Sequence, residues 1–223
     1  MFRDLPRGPR LLEIGPGTGQ ATVPLHRCGY DITAVELGAA MADVLRRKLP
    51  EIKVITAAFE EWPLPPEPFD LVVVATAFHW LDPEVRWRKA AAALRQSGSL
   101  AIMDTFHVAG ADQDFWEASQ ACYERWDPDT PPGGIALPKP ADVPDTPPDT
   151  DLFTAPVFRH YLREIPYTTA QYLDVLRTYS GHRALDPTRR EGLLRCLAEL
   201  VDSRFGGRIR KTYLFRLMLA DRR

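Results

Sequence analysis

The sequence is short of cysteine, of excess positive charge and of long apolar runs, and each shortage removes a class of function. Its three cysteines, Cys28, Cys122 and Cys196, are odd in number and widely scattered, without the spacing of a metal site or a disulfide framework. That pattern predicts reduced thiols, a cytoplasmic location and no bound metal. Lysine and arginine total 28 against 30 aspartates and glutamates, a net charge of −2, so no basic footprint for DNA or RNA is present. No apolar stretch approaches the roughly 20 residues of a membrane span, and the start lacks the charged segment and apolar core of a signal peptide. The expected partner is a small-molecule substrate, with no nucleic acid and no membrane; the oligomeric state is left open.

What the chain does have is a glycine-rich turn. Leu11, Leu12 and Ile14 form a short apolar run that ends in three glycines within five residues, Gly15, Gly17 and Gly19. A buried strand, a tight turn and a helix start fit this pattern. Glycine serves where φ is positive or where a ligand comes too close for a Cβ, and bare amides at a helix start favour a nucleotide-like, anionic group. The dinucleotide fingerprint puts its third glycine at position 20, where this chain has Gln20, and Pro16 stiffens the turn. Glu13, two residues before Gly15, is placed to reach the loop amides or an ammonium group. S-adenosylmethionine carries an ammonium; the nicotinamide cofactors do not.

E-I-G-P-G-T-G at 13–19 resembles the first motif of the class I S-adenosylmethionine-dependent methyltransferases. The likeness continues through V-E-L at 35–37, the loop at 54–63 and F-D-L-V-V-V-A-T-A-F-H-W-L at 69–81, about the first 105 residues in all. It implies an α/β fold of Rossmann-like, doubly wound type: a mostly parallel seven-stranded sheet with helices on both faces and the last strand antiparallel. It also implies S-adenosylmethionine as cofactor, with contacts from Glu13, Gly15, Pro16, Gly17 and Gln20 in the first motif. Glu36, closing the strand D-I-T-A-V-E seventeen residues past Gly19, matches the acid that binds the adenosine ribose, and Leu37 follows it. Many relatives carry an aspartate for the adenine amino group where this chain has Ala58. Adenine recognition then falls to the backbone near Ala58 and Phe59 and to packing on Phe59 or Trp62. Ala75 and Trp80 complete the cofactor set, since an aromatic face suits a sulfonium.

The acceptor is less defined. Neither the Asn/Asp-Pro-Pro-Tyr of amino-directed relatives nor the Pro-Cys of pyrimidine-C5 enzymes follows the strand at 69–75; Phe78-His79-Trp80 stands there instead. A small organic acceptor, methylated on oxygen or carboxylate, is favoured. A hydroxyl acceptor needs a base, for which His79, His107 and His182 are the candidates, in that order. A nicotinamide-dependent oxidoreductase and a non-catalytic S-adenosylmethionine-binding module are the alternatives.

Along the chain, helices are expected at 22–28, 39–49 and 83–95, and strands at 31–36, 52–56, 69–75 and 100–104, with Q-S-G-S before the last as a turn. The 223 residues read as one domain, with 105–150 inserted as a helix and a Pro-rich substrate lid: residues 127–150 hold eight prolines, a composition of extended or mobile loops. The aromatic stripe of a helix at 112–126, Phe115, Trp116, Tyr123 and Trp126, suits either core or a substrate wall. Strands at 158–167 and 209–220 flank helices opened by Thr168 and by Asp186-Pro187, the second stopped by Gly206-Gly207. Between those helices Tyr179 and His182 either face substrate or pack.

Overall fold

The computed structural model describes residues 8–127, 129–130, 136–148 and 150–223. They pack as two compact units: the first takes the described residues up to Thr105 with Asp145–His160 and Phe215–Arg223, the second Phe106–Pro144 with Tyr161–Leu214.

The chain opens with alternating strands and helices: β1 (Arg10–Ile14), α1 (Thr22–Arg27), β2 (Asp31–Glu36), α2 (Ala39–Lys48), β3 (Lys53–Thr56), β4 (Phe69–Ala75), α3 (Arg86–Ala93) and β5 (Leu94–His107). β1 pairs in parallel with β2 and β4, β2 with β3, and β4 with β5. With β6 (Val157–Thr168) and β7 (Arg208–Asp221), the seven-stranded order is β3-β2-β1-β4-β5-β7-β6. β7 is antiparallel: the Ser97 amide donates to the Arg222 carbonyl and the Arg222 amide to that of Gly98. Period-two alternation explains the two apolar layers. Leu12, Ile14, Val72 and Val74 share one core with Leu94, while Leu11, Ile32, Ala34 and Val73 share another with Leu45 of α2. A strand buried on both faces must read as a continuous apolar run, as β1 and β4 do.

Local chemistry shifts two boundaries from those expected. β5 begins at Leu94, because Leu94 pairs with Phe69 and a register shift before the Leu71–Ser99 pair absorbs the extra residues, with Ser97 at φ 58°. Q-S-G-S is therefore irregular strand, and its amide and carbonyl partners lie at the end of β7. α3 starts at Arg86; Asp82 Oδ1 accepts from the Glu84 amide and the Asp82 carbonyl from those of Val85 and Arg86, so 83–85 form a turn leading into the helix. Asp70 is a brace, accepting from the Arg10 amide at 2.8 Å and Arg95 Nε at 2.6 Å.

The second unit holds α4 (Gln113–Trp126), α5 (Thr169–Thr178), α6 (Ser180–Ala184) and α7 (Pro187–Arg204). Thr168 and Gln171 form a capping box, and Asp186 accepts from the Thr188 and Arg189 amides with Pro187 in the first turn. Gly206 and Gly207, at φ 61° and 75°, end α7. Its core gathers Phe115, Tyr172, Leu193, Leu197 and Val201. α4 and α7 approach so closely that a Cβ on Gly192 would stand 2.3 Å from the Trp126 ring. Of the Pro-rich stretch, residues 128, 131–135 and 149 lie outside the described residues. Val143 is buried with Val108 and Leu214, and the Ala109 amide donates to Pro138, so part of this stretch is packed.

The cysteine reading is corrected here. Cys122 on α4 and Cys196 on α7 form a disulfide with Cα atoms 5.7 Å apart, and only Cys28 is free. The two lie 74 residues apart in sequence, and only helix packing brings them together, which spacing cannot foretell. Disulfides persist in oxidising surroundings, so the cysteine content no longer argues for a cytoplasmic location. No helix among the described residues is long and apolar enough to cross a membrane.

Thiol titration of the unfolded, unreduced chain is expected to find one reactive group, rising to three after reduction. Reduction is also expected to lower the stability of the second unit by about 2–4 kcal/mol, the usual worth of a bridge closing a long loop, read as a lower urea midpoint.

Candidate cofactor site and a second cavity

In an open parallel sheet the crevice lies at the carboxyl ends of the strands, where strand order reverses. The reversal falls at β1 and β4, and a cavity of about 440 Å³ is lined there by the residues that follow β1, β2, β3 and β4. That is within the roughly 300–1,000 Å³ of small-molecule sites. Gly15 and Gly17 have φ of 66° and 59°, a conformation costly for any residue with a Cβ. A Cβ on Gly15 would stand 2.6 Å from Ala77, and one on Gly17 would meet nothing nearer than Gln20 at 3.9 Å. Space is therefore left over the turn.

Glu36, 4% exposed, closes the floor. One carboxylate oxygen accepts from the Gly17 amide and the other from the Gly38 amide, each at 2.8 Å. A carboxylate has about four lone-pair sites, so two remain for ligand hydroxyls. Leu37, Ala58, Phe59, Ala75 and Trp80 also line the cavity. Trp80 is 74% exposed and Phe59 buried, whereas Trp62 sits in the core. Beside Ala75, Thr76 takes φ 53° with its amide donating to the Met103 carbonyl at 2.7 Å, backbone strain of the kind that gathers at functional sites. Gly38, Met41, Ala77 and Leu81 complete the wall; they were not anticipated, being ordinary neighbours of the motifs.

Three of the contacts expected from the first motif, Glu13, Pro16 and Gln20, are not on that wall. Pro16 is buried, and Gln20 is exposed, accepting from Thr18 Oγ1 at 3.3 Å. Glu13 follows the alternation of Leu11 and points into the layer under α1 and α2. Neither of its oxygens has a hydrogen bond, although the Thr22 hydroxyl lies beside it. Burial above all, with the Glu36 charge adding to it, pushes its carboxyl up to about 7.

The three histidines part company. His79 is exposed, its ring 4.9 Å from that of Trp80, and it lines neither cavity. His107 and His182 both line a second cavity of about 400 Å³ that belongs wholly to the second unit. Trp116, Tyr123, Tyr172 and Tyr179 form its aromatic walls, so of the α4 stripe Phe115 is core while Trp116 and Tyr123 line this cavity. His182 Nε2 is 3.2 Å from the Tyr123 hydroxyl. Burial, then the charge of Lys211, pushes His107 down to about 4, and burial pushes His182 down as well. Lys211 was missed. It sits between Ile209 and Tyr213 on the buried face of β7, and the strand's alternation already carried that signal.

Residues 12–102 match the model of a methyltransferase domain. An uncharacterized methyltransferase of Mycobacterium bovis is 39% identical over 94 residues, 42% of this chain and 39% of that protein. The chain spans less than half the length of the curated relatives it matches. In fold it resembles a solved protein of Anaeromyxobacter dehalogenans, with TM-score 0.63, 21% identity and coverage of 94% and 88% of the two chains. It also resembles YcgJ of Bacillus subtilis, with TM-score 0.55, 16% identity and coverage of 97% and 93%.

Glu13 yields a pH prediction. An acid whose folded pKa is raised from 4.5 to about 7 leaves the native state holding more protons across that window, so stability falls as pH rises through it. Glu13→Gln removes the slope: the variant is expected to match the parent near pH 4 and to exceed it by up to roughly 3 kcal/mol at pH 8, measured by urea unfolding at both pH values.

Proposed function

Because residues 12–102 match the model of a methyltransferase domain, we propose that this chain is a class I enzyme that transfers the methyl group of S-adenosylmethionine to a small organic acceptor, with oxygen or carboxylate acceptors favoured. Glu36 is the observation that carries the reading: a buried carboxylate, pinned under a glycine turn, with lone pairs left for the two hydroxyls of a ribose. The residues present fit a nucleoside with a charged tail. Gly17 leaves room where a Cβ would intrude, Ala58 and Phe59 offer an apolar wall for a base, and the Trp80 face suits a cation.

The cofactor supplies a methyl carbon already activated by its sulfonium. The protein's tasks are therefore to bind, align and keep out water. Glu36 holds the sugar and, through the Gly17 and Gly38 amides, the shape of the loop. Of the histidines, His107 and His182 line a cavity and are held neutral by burial. Neutral imidazoles accept protons, but His107, pushed down to about 4, is a weak base. A carboxylate acceptor needs no base, which favours that choice over a hydroxyl; His79, exposed, has no cavity wall on which to present an acceptor. The 105–150 segment contributes Trp116, Tyr123 and Leu137 to the second cavity, in keeping with a role in covering the acceptor. Against a nicotinamide enzyme stand Gln20 in place of the third glycine and the lack of a Tyr-x-x-x-Lys pattern.

Isothermal titration of the full chain with S-adenosylhomocysteine is expected to give micromolar binding, and fluorescence titration with NADH none. Failure to bind S-adenosylhomocysteine at hundreds of micromolar sinks the proposal. Glu36→Gln swaps one accepting oxygen for a donor facing an amide, and is expected to weaken S-adenosylhomocysteine by about 10–100-fold, or roughly 1.4–2.8 kcal/mol.

A further inference from the structure

The second cavity holds a charge without a partner. Lys211 is 2% exposed and lines the cavity from β7. Its Nζ donates to the Tyr179 hydroxyl at 2.9 Å, and four rings surround it, those of Trp116, Tyr172, Tyr179 and Tyr213, with centroids at 5.1–5.9 Å. Among the described residues no carboxylate forms an ion pair with it, and burial alone shifts its proton affinity, pushing the ammonium down to about 7. Burying an ammonium with no counter-charge is costly, and lysines are almost never fully buried unless paired. Ring faces and one phenol offset part of that cost; a ligand's negative charge offsets the rest.

The remaining walls define the ligand further. Trp116, Tyr123 and Tyr172 present ring surfaces and Leu176 an aliphatic one, a lining suited to a flat apolar body. The cavity offers one lysine, while the charge of Asp127 is felt at Tyr123 and His182. A second negative group on the ligand would meet that charge and no further cation, since His107 and His182 are neutral.

We propose that the cavity of the second unit binds a small aromatic monocarboxylate, with the carboxylate at Lys211 Nζ and the Tyr179 hydroxyl and the ring against Trp116, Tyr123 and Tyr172. Taking this acid as the methyl acceptor rests on the function proposed above; its binding does not. The carboxylate restores the missing counter-charge and accepts from both Lys211 and Tyr179, and a charge-assisted hydrogen bond of this kind is about twice as strong as a neutral one.

The test is isothermal titration of the full chain at pH 7, without cofactor, using indole-3-acetate and phenylacetate beside their neutral amides. Each acid is expected to bind at least tenfold tighter than its amide. In Lys211→Met, which keeps an apolar stem, that preference is expected to vanish while amide affinity stays within about threefold. Equal binding of acid and amide, no binding of either acid at low millimolar concentration, or a preference that survives in a folded Lys211→Met protein overturns the proposal. If that variant does not fold, the acid-against-amide comparison in the parent decides. S-adenosylhomocysteine is titrated in parallel: its binding beside a failed acid sinks this inference and leaves methyl transfer standing, and the reverse result does the opposite.

Discussion

The carboxylate of Glu36 is the contact on which the first cavity depends. It lies at the end of β2, yet one oxygen is held by the amide of Gly17, beyond β1, and the other by that of Gly38, at the start of α2. One side chain thus ties two strand ends and a helix start to the same point. Burying a carboxylate is tolerable when donors replace the water it loses, and here the donors are backbone amides that the turn leaves unpaired. The positive φ of Gly15 and Gly17 shapes the turn that presents the first of these amides, while that of Gly38 comes from the start of α2. Glu13 makes the contrast: in the neighbouring layer, buried as deeply but with no backbone amide on either oxygen, it is pushed up to about 7 by burial above all.

The second unit organises a cavity by a different device. α4 presents Trp116 and Tyr123 to the cavity while its other side is locked to α7 by the Cys122–Cys196 bridge and by the contact of Trp126 with Gly192. A helix held this firmly on one side gives its aromatic side chains few alternative positions on the other. Lys211 then lies among rings rather than among acids. The result is a chamber walled largely by rings, with Lys211 as its one cation and Asp127, His107 and His182 also on its lining, a mix of apolar surface and a few polar groups found in small-molecule sites.

Several residues of the first cavity were legible because their placement is local. Gly15, Gly17, Glu36 and Trp80 belong to turns or strand ends whose geometry is set within a few residues, and all four line the first cavity. Glu13 and Gln20 belong to the same motif, yet the direction of a side chain at a strand end depends on which layer it faces, and both point elsewhere. The histidines follow the same division: residue type nominated all three, while burial separates exposed His79 from His107 and His182.

By itself the sequence determined the alternation of strands and helices, the caps at Thr168 and Asp186, the glycine turn and the acid that answers it, because periods of two and 3.6 and the demands of positive φ are local physics. Tertiary structure alone decided that Cys122 finds Cys196, that Lys211 meets Trp116 and Tyr179, and that β5 begins at Leu94. Those outcomes come from contacts between residues far apart in the chain, and distance along a sequence carries no record of which faces will pack together.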